Sequence, residues 1–365
     1  MSQRGWQVTV IGPRERFGTA SHAAIGVSSL KGHILPSQAL FLAKLKGHEQ
    51  LPHWLAKIEQ DSGQFIPQIK SGVVEPFFDR AGFSYLSERV FHGKFRGCLR
   101  ARLMAPNELA ESSLHVPFLQ KSPRGAFYYP GDLWFDPVQT LQALEQAILR
   151  LNGTIIDDTV HRVSPGVSGE MQVICTEGVY RAKEALLAAG AFSNDILGES
   201  GLPTLPLQLS PGETLYAQTD AELSINLRLG KTNYVGHNRQ LRWGSTSRTA
   251  NSLQKELALG PSAGGIETLW DEASRLTKPD FLFRDRMSLK WGIRTRVRDR
   301  APVVGPLFWP NQGQEKLWVA VGFYKNGLQL AGYLARYLAD SLCGIPSGHQ
   351  DQQIWRLIAP SRLVG

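Results

Sequence analysis

The sequence predicts an α/β protein in which a region with buried strands is interleaved with a second, mainly antiparallel region. Three stretches carry that expectation. QVTVI (Gln7 to Ile11) is a compact apolar run of β character, stopped by Gly12 and Pro13. LWVAVG (Leu317 to Gly322) is apolar with little alternation, the pattern of a strand covered on both faces. After YKNG it leads into LQLAGYLARYLADSLCG, an amphipathic helix with Gly344 at its end. Between these ends, from Pro203 to Trp291, β-like runs succeed one another as ETLYAQT, SINLRL, NYVGH and RQLRWGST, with a helix at about Pro261 to Leu276.

The remaining elements come in chain order. SQRG, ahead of the first strand, reads as the last polar turn of a helix with Gly5 just past its end. Pro36 to Lys57 is apolar at helical spacing and predicts one or two amphipathic helices. Val73 to Pro130 mixes short β-like runs with Gly, Pro and aromatics, and PNELAESS (Pro106 to Ser113) reads as a short helix. Asp136 as N-cap and Pro137 at the first helical position start a clear helix that runs through VQTLQALEQAILRLNG to Gly153. TIID, MQVICT and, after a turn at Glu177 and Gly178, VYRAKEALLAAG then read as strand, hairpin and strand.

Composition bounds the function. A chain of 365 residues with 42% apolar and 20% charged residues has ample core for about two domains and is not a disordered polymer. No apolar run approaches the ~20 residues that span a bilayer. MSQRGWQVTV lacks the apolar stretch of a signal peptide, so a soluble, cytoplasmic protein is expected. The net charge of +8 is spread along the chain without a Lys-rich tail. A basic balance can serve nucleic acid, a membrane surface or anionic ligands, and with the charge so spread nucleic acid is not the expected partner. Cys98, Cys175 and Cys343 are odd in number and far apart, which gives neither a disulfide framework nor a zinc spacing, and no metal site is expected.

Four segments, in order, resemble the FAD-dependent D-amino-acid oxidase and glycine oxidase family. They are VTVIGPRERFGTASHAAIGVSS (Val8 to Ser29), GDLWFDPVQTLQALEQAI (Gly131 to Ile148), EALLAAGAFSNDIL (Glu184 to Leu197), and WGIRTRVRDRAPVVGPL (Trp291 to Leu307) with LWVAVGFYKNGLQLAGYLARYLAD (Leu317 to Asp340). The resemblance implies a Rossmann-like FAD-binding domain made of residues 1–50, 131–205 and 291–365. A mainly antiparallel substrate domain of residues 51–130 and 206–290 would be interleaved with it. It implies FAD contacts at Ser21 and Ala23 facing the pyrophosphate and at Val160 beside the adenine. Ala189 and Gly190 would allow close backbone approach, and Gly322, Lys325, Asn326 and Gly327 would lie beside the flavin ring. The dipole of the last helix would favour negative charge there. Arg294 matches the family arginine that grips the substrate carboxylate, although Thr295 stands where the family has proline. Tyr234 matches a position that can hold a substrate-facing tyrosine, with Tyr216 and Tyr324 as weaker candidates. Arg296, Arg298 and Arg300 succeed Arg294 at period two. Such a row is either a solvated strand face or the mark of an unusually anionic substrate, such as one with a second carboxylate.

The sequence departs from the family at its start. The family opens with a strand and a Gly-x-Gly-x-x-Gly turn, whereas SQRGWQVTVIG aligns with the family's segment after that turn. The expectation is a truncated gene model in which Met1 is an internal methionine. The alternative is a homologue that has lost flavin. Gly12 stands where the family has an acid for the ribose, with Glu15 the nearest substitute. The implied activity is FAD-dependent oxidation of an amino acid or secondary amine. Hydride would pass from the α-carbon to flavin N5, and an imine would hydrolyse to an oxo acid, with oxygen as the acceptor. A flavin enzyme acting on a modified tRNA base, a hydroxy-acid dehydrogenase and a non-catalytic homologue remain as alternatives.

Overall fold

A computed structural model describes every residue except 2–3, 15–16, 31–37, 93–95, 113, 115, 117, 310–311, 347 and 364–365. The chain begins with β1 (Thr9–Ile11) and β2 (Val27–Ser28). Pro36, the expected start of the next helix, lies outside the described residues. α1 (Gln38–Ser62) is one helix of 25 residues with Pro52 inside it. Leu40, Ala43, Leu51, Leu55 and Ile58 are buried at helical spacing on both sides of that proline, so packing holds the two halves in line. β3 (Gln68–Ile69), β4 (Val73–Phe77), α2 (Arg80–Ser87), α3 (Arg96–Leu99), β5 (Arg102–Met104), α4 (Pro106–Glu111), β6 (Gly125–Tyr129) and β7 (Leu133–Phe135) come next.

α5 (Pro137–Arg150) starts where the sequence says it must: Asp136 accepts hydrogen bonds from the Val138 and Gln139 amides. Next come β8 (Thr154–Ile156), β9 (Val160–Pro165), β10 (Met171–Cys175), β11 (Val179–Ala182) and β12 (Ala185–Leu187). VYRAKEALLAAG is therefore two strands and not one. β11 stays antiparallel to β10, while β12 leaves to pair parallel with a late strand. Glu184, at the break, accepts a hydrogen bond from the Trp318 indole on that strand (3.1 Å).

After α6 (Ser193–Glu199), β13 (Gln208–Leu229) runs 22 residues as one strand, joining two runs that the sequence separates. A register shift between Gln218 and Leu223 absorbs the polar residues between them, so the ladder to β14 (Thr232–Gly244) resumes beyond. α7 (Leu253–Leu259), α8 (Ala263–Leu276), β15 (Met287–Arg296), β16 (Val303–Trp309), β17 (Gln312–Val321), α9 (Gly327–Leu342) and α10 (His349–Ile358) complete the chain. The expected division at 290/291 falls inside β15, and that at 50/51 inside α1.

The largest sheet has the order β14-β13-β4-β6-β5, with β15 antiparallel along the first half of β13. One face of it packs on α8 through Leu215, Leu227, Trp243, Leu269 and Ala273. The parallel pairs are β1 with β8, and β12 with β17, the latter extended by antiparallel β16. Among the described residues, the other edges of β1 and β12 carry no strand. α1 lies against α5 and α9. No helix among the described residues is long and apolar enough to cross a membrane.

α1 buries two titratable groups one turn apart. His48 Nδ1 lies 2.9 Å from the Ser28 hydroxyl, and burial lowers its ring to about 4. The Lys44 ammonium is 1% exposed and has no hydrogen-bond partner among the described residues. Burial, aided by Arg228 and opposed by Asp132, lowers its pKa from 10.5 to about 7. The unfolded chain therefore binds this proton more readily than the folded one, and stability falls as pH drops from about 10.5 to about 7. Lys44→Met should remove that slope and raise stability near neutrality by a few kcal/mol. Denaturant unfolding across this pH range checks it, and a variant less stable at neutral pH would contradict it.

Candidate active site

The site forms where two loops dock on the arginine strand. In β15, Gly292 stands opposite Gly212 and Arg294 opposite Ser210 of β13. The segment after β1 lies along this edge: the Ile293 amide donates to Gly18 O (2.8 Å), Thr19 bridges to Ile293, and the Thr214 hydroxyl donates to Ala23 O (2.8 Å). A Cβ at Gly292 would fall 2.6 Å from Thr19 O and 2.8 Å from Ala20 Cα, so glycine is needed for this approach. The turn before α9 docks two residues further along β15 through the Tyr324 amide, which donates to Thr295 O (2.9 Å).

Arg294 is half-buried and held by three bonds. Its Nε donates to Ser210 O (3.3 Å), Nη1 to Ser245 Oγ (2.8 Å) and Nη2 to Thr246 O (2.6 Å). The guanidinium crosses over Gly212, where a Cβ would lie 1.8 Å from Nη2. Arginine offers five N–H donors in a planar fork. Each terminal nitrogen makes one bond, so one N–H on each is without a partner among the described residues, and a carboxylate can accept from both terminal nitrogens of such a fork. Among the described residues no carboxylate pairs with Arg294. Glu213 lies nearby, but its carboxylate accepts from the Thr246 hydroxyl and the Ser262 amide at the start of α8. Burial lowers the Arg294 pKa, and Tyr324 and Glu213 oppose it.

Tyr324 gathers the positive charge. Arg294, Arg296 and Lys325 lie 5.8, 5.4 and 5.6 Å from its ring centre. Its hydroxyl is 3.0 Å from Ser247 Oγ, which is 2.9 Å from Ser210 Oγ. Burial alone would raise the phenol, but the Ser247 bond and the three cations bring it below its ordinary value. Lys325, at the solvent edge, is lowered by desolvation, with Arg294 and Lys231 acting in the same direction and Tyr324 against. The arginine row divides: Arg294 and Arg296 are half-buried, and Arg298 and Arg300 are exposed.

Of the other expected residues, Ser21 is exposed and Ala23 buried in the docked loop. Gly322 turns the chain at φ +75°, and Asn326 and Gly327 open α9 beside Lys325. Asn326 makes no side-chain capping bond, and the first turn of α9 holds no acid. Ala189 and Gly190 come after β12, Gly190 at φ +57° with open space where a Cβ would stand. Val160 starts β9 opposite Cys175. Glu15 lies outside the described residues. Arg294, Lys325 and the 18–24 loop are brought together. Tyr234 is not: it is 1% exposed in the core against Leu269 and Ala273 of α8, its hydroxyl without a partner among the described residues. Tyr216 is buried beneath Arg242 and Lys290, 5.5 and 5.2 Å from its ring. Burial raises its phenol to about 12. The tyrosine beside Arg294 is Tyr324. Ser210, Ser245, Thr246 and Gly212 carried no signal in the sequence, because they act through backbone atoms, a hydroxyl or an absent side chain.

A protein-family model described as FAD dependent oxidoreductase (DAO) matches residues 1–341. The bifunctional protein ThiO/ThiG of Nostoc sp. strain PCC 7120 is 26% identical over 341 residues, covering 92% of this chain and 49% of that protein. The chain thus spans about half the length of the curated relatives it matches first. The crystal structure of glycine oxidase from Geobacillus kaustophilus superposes with a TM-score of 0.78 at 21% identity, covering 95% of this chain and 90% of that one. That of iminodiacetate oxidase from Chelativorans sp. BNC1 gives 0.80 at 17% identity, covering 97% and 93%. At these identities the superpositions establish a shared fold.

Gly212→Ala should push the Arg294 fork off its three acceptors and lower stability by about 1–3 kcal/mol. Thermal unfolding of the variant measures this, and a midpoint equal to that of the parent would contradict the placement.

Proposed function

The chain belongs to the FAD dependent oxidoreductase family, and from that premise we propose that it oxidises an amino acid or secondary amine at the carbon next to a carboxylate held by Arg294. The observation that carries this reading is the pair of unused N–H groups on the Arg294 terminal nitrogens, beside a phenol and without a carboxylate partner among the described residues.

The residues present suit the family's cofactor at its ring end. The first turn of α9 has neither a side-chain cap nor an acid, so its amides and the positive end of its dipole remain available to negative charge. Lys325 stands beside them. Gly190 leaves open space after β12, and Ser21 and Ala23 line the docked loop. In this reading Lys325, Asn326 and Gly327 hold the flavin ring, Ser21, Ala23, Ala189 and Gly190 the pyrophosphate side, and Val160 the adenine. Bound FAD supplies the two-electron acceptor.

The protein's own contribution is orientation and charge. Arg294 fixes two carboxylate oxygens in one plane, which sets the face that the α-carbon presents. Its three bonds to Ser210, Ser245 and Thr246 prevent the fork from turning. The reaction requires no side-chain base beyond the substrate nitrogen, whose lone pair assists as the α-carbon loses hydride. The product is an imine that water converts to an oxo acid, with oxygen as the final acceptor.

Arg294→Lys retains the charge and loses the fork. It should lower kcat/KM for carboxylate amines by about 100-fold, with the flavin absorbance of the purified protein reduced far less. Equal turnover of a carboxylate amine by the variant would end the assignment. A colourless, unreactive parent protein supplied with FAD would end the proposed function itself.

A further inference from the structure

Three half-buried arginines of this molecule have a carboxylate. Arg242 pairs with Asp136 at 2.7 Å, Arg362 with Asp299 at 2.9 Å, and Arg248 with Glu256. Arg294 and Arg296 differ. They lie two residues apart on β15, hence on one face and about 7 Å apart along the strand. Both lie within 6 Å of the Tyr324 ring centre, and among the described residues neither makes an ion pair with a carboxylate. The Nε of Arg296 is buried and makes no hydrogen bond among the described residues. A desolvated cation is unfavourable unless an anion offsets it. One substrate carboxylate would use the two remaining N–H groups of Arg294 and leave Arg296 unsatisfied. Lys325 is committed to the cofactor end under the proposed function, so of the three cations around Tyr324 it is Arg296 that has no role.

We propose that Arg296 forms a second anion subsite and that the enzyme's substrates are amines carrying two carboxylates, one on Arg294 and the other on Arg296. This inference rests on the proposed amine oxidation and on Arg294 as the first carboxylate ligand. The spacing of the two arginines suits carboxylates separated by a few bonded atoms, as in an N-(carboxymethyl) amino acid or an acidic amino acid. Both guanidinium groups lie within 6 Å of the Tyr324 ring centre, and in this proposal each binds its own carboxylate.

The experiment compares three pairs that differ in the second carboxylate: iminodiacetate with N-methylglycine, aspartate with asparagine, and glutamate with glutamine, the amino acids as both enantiomers. Each is tested for turnover by the FAD-supplied protein and, without oxygen, for binding by calorimetry. In at least one pair the dicarboxylate should be favoured about 30-fold or more, in kcat/KM and in binding, as expected for a charge-assisted pair of hydrogen bonds. Arg296→Gln should abolish most of that ratio. If the neutral member of every pair binds and reacts as well as its partner, the second subsite is wrong while the amine-oxidase reading stands. If Arg296→Gln loses flavin absorbance and keeps the ratio, Arg296 serves the cofactor and the proposal is overturned. If nothing is turned over, the proposed function fails, and the binding ratio still decides whether Arg296 selects a second carboxylate.

Discussion

Gly292 and Thr19 approach so closely that one methyl group would part them, and the site exists because that approach is possible. The bridge at Ile293 is made on β15 and the bond from the Thr214 hydroxyl to Ala23 on β13. They tie the segment after β1 to the large sheet. The turn before α9 reaches the same strand through Thr295. Three parts of the chain, some 270 residues apart between the first and the second, thus meet over four residues of β15. The contacts on β15 are main-chain hydrogen bonds, which fix position with no rotamer intervening. Arg294 takes its aim from that frame.

A second junction fixes how the sheet sits on the helices. Asp136 caps α5 with one oxygen and pairs with Arg242 of β14 through the other. Arg242 also lies over Trp134 and Tyr216, 5.0 and 5.5 Å from their rings. Trp134 is fully buried, and its indole donates to Ile25 O (2.7 Å) in the docked segment. A single buried carboxylate therefore joins the start of a helix, the middle of the sheet and, through the tryptophan, the loop that borders the site. The charge is paired and fully hydrogen-bonded, the condition under which a buried ion pair is tolerated.

How much of the structure was legible in the sequence depends on the range of the forces involved. Asp136 and Pro137 announce α5 because capping is a contact between neighbours; α8 is capped in the same way by Ser262, which the sequence pattern did not single out. LWVAVG reads as a buried strand because both of its faces are covered, and it lies in β17. The continuity of β13 was hidden, since TDAE looks like a turn and only the partner strand shows that a register shift absorbs it. Arg294 was legible through its resemblance to a family motif. The identity of its tyrosine neighbour was not: Tyr234 lies in a strand of suitable character, but β-strand alternation turns it toward α8. Tyr324 sits in a turn at φ +52°, where spacing rules give no side-chain direction.

The period-two arginine row shows how the same pattern serves two physical ends. From the sequence it reads either as a solvated face or as a basic binding surface. The structure cuts it between Arg296 and Arg298, because β15 ends at Arg296 and the next residues leave the sheet. Beyond that point water solvates the guanidinium groups, and they call for no partner. Within it the loop at 245–247 and the turn at 322–326 cover the strand and withdraw water from two cations without supplying an anion. Arg242 and Arg362 show the paired way of burying a guanidinium, each on a carboxylate. Arg294 and Arg296 are two adjacent half-buried cations that make no ion pair among the described residues, with the nearby Glu213 carboxylate engaged by Thr246 and Ser262, and this is why the strand face suits an anionic ligand.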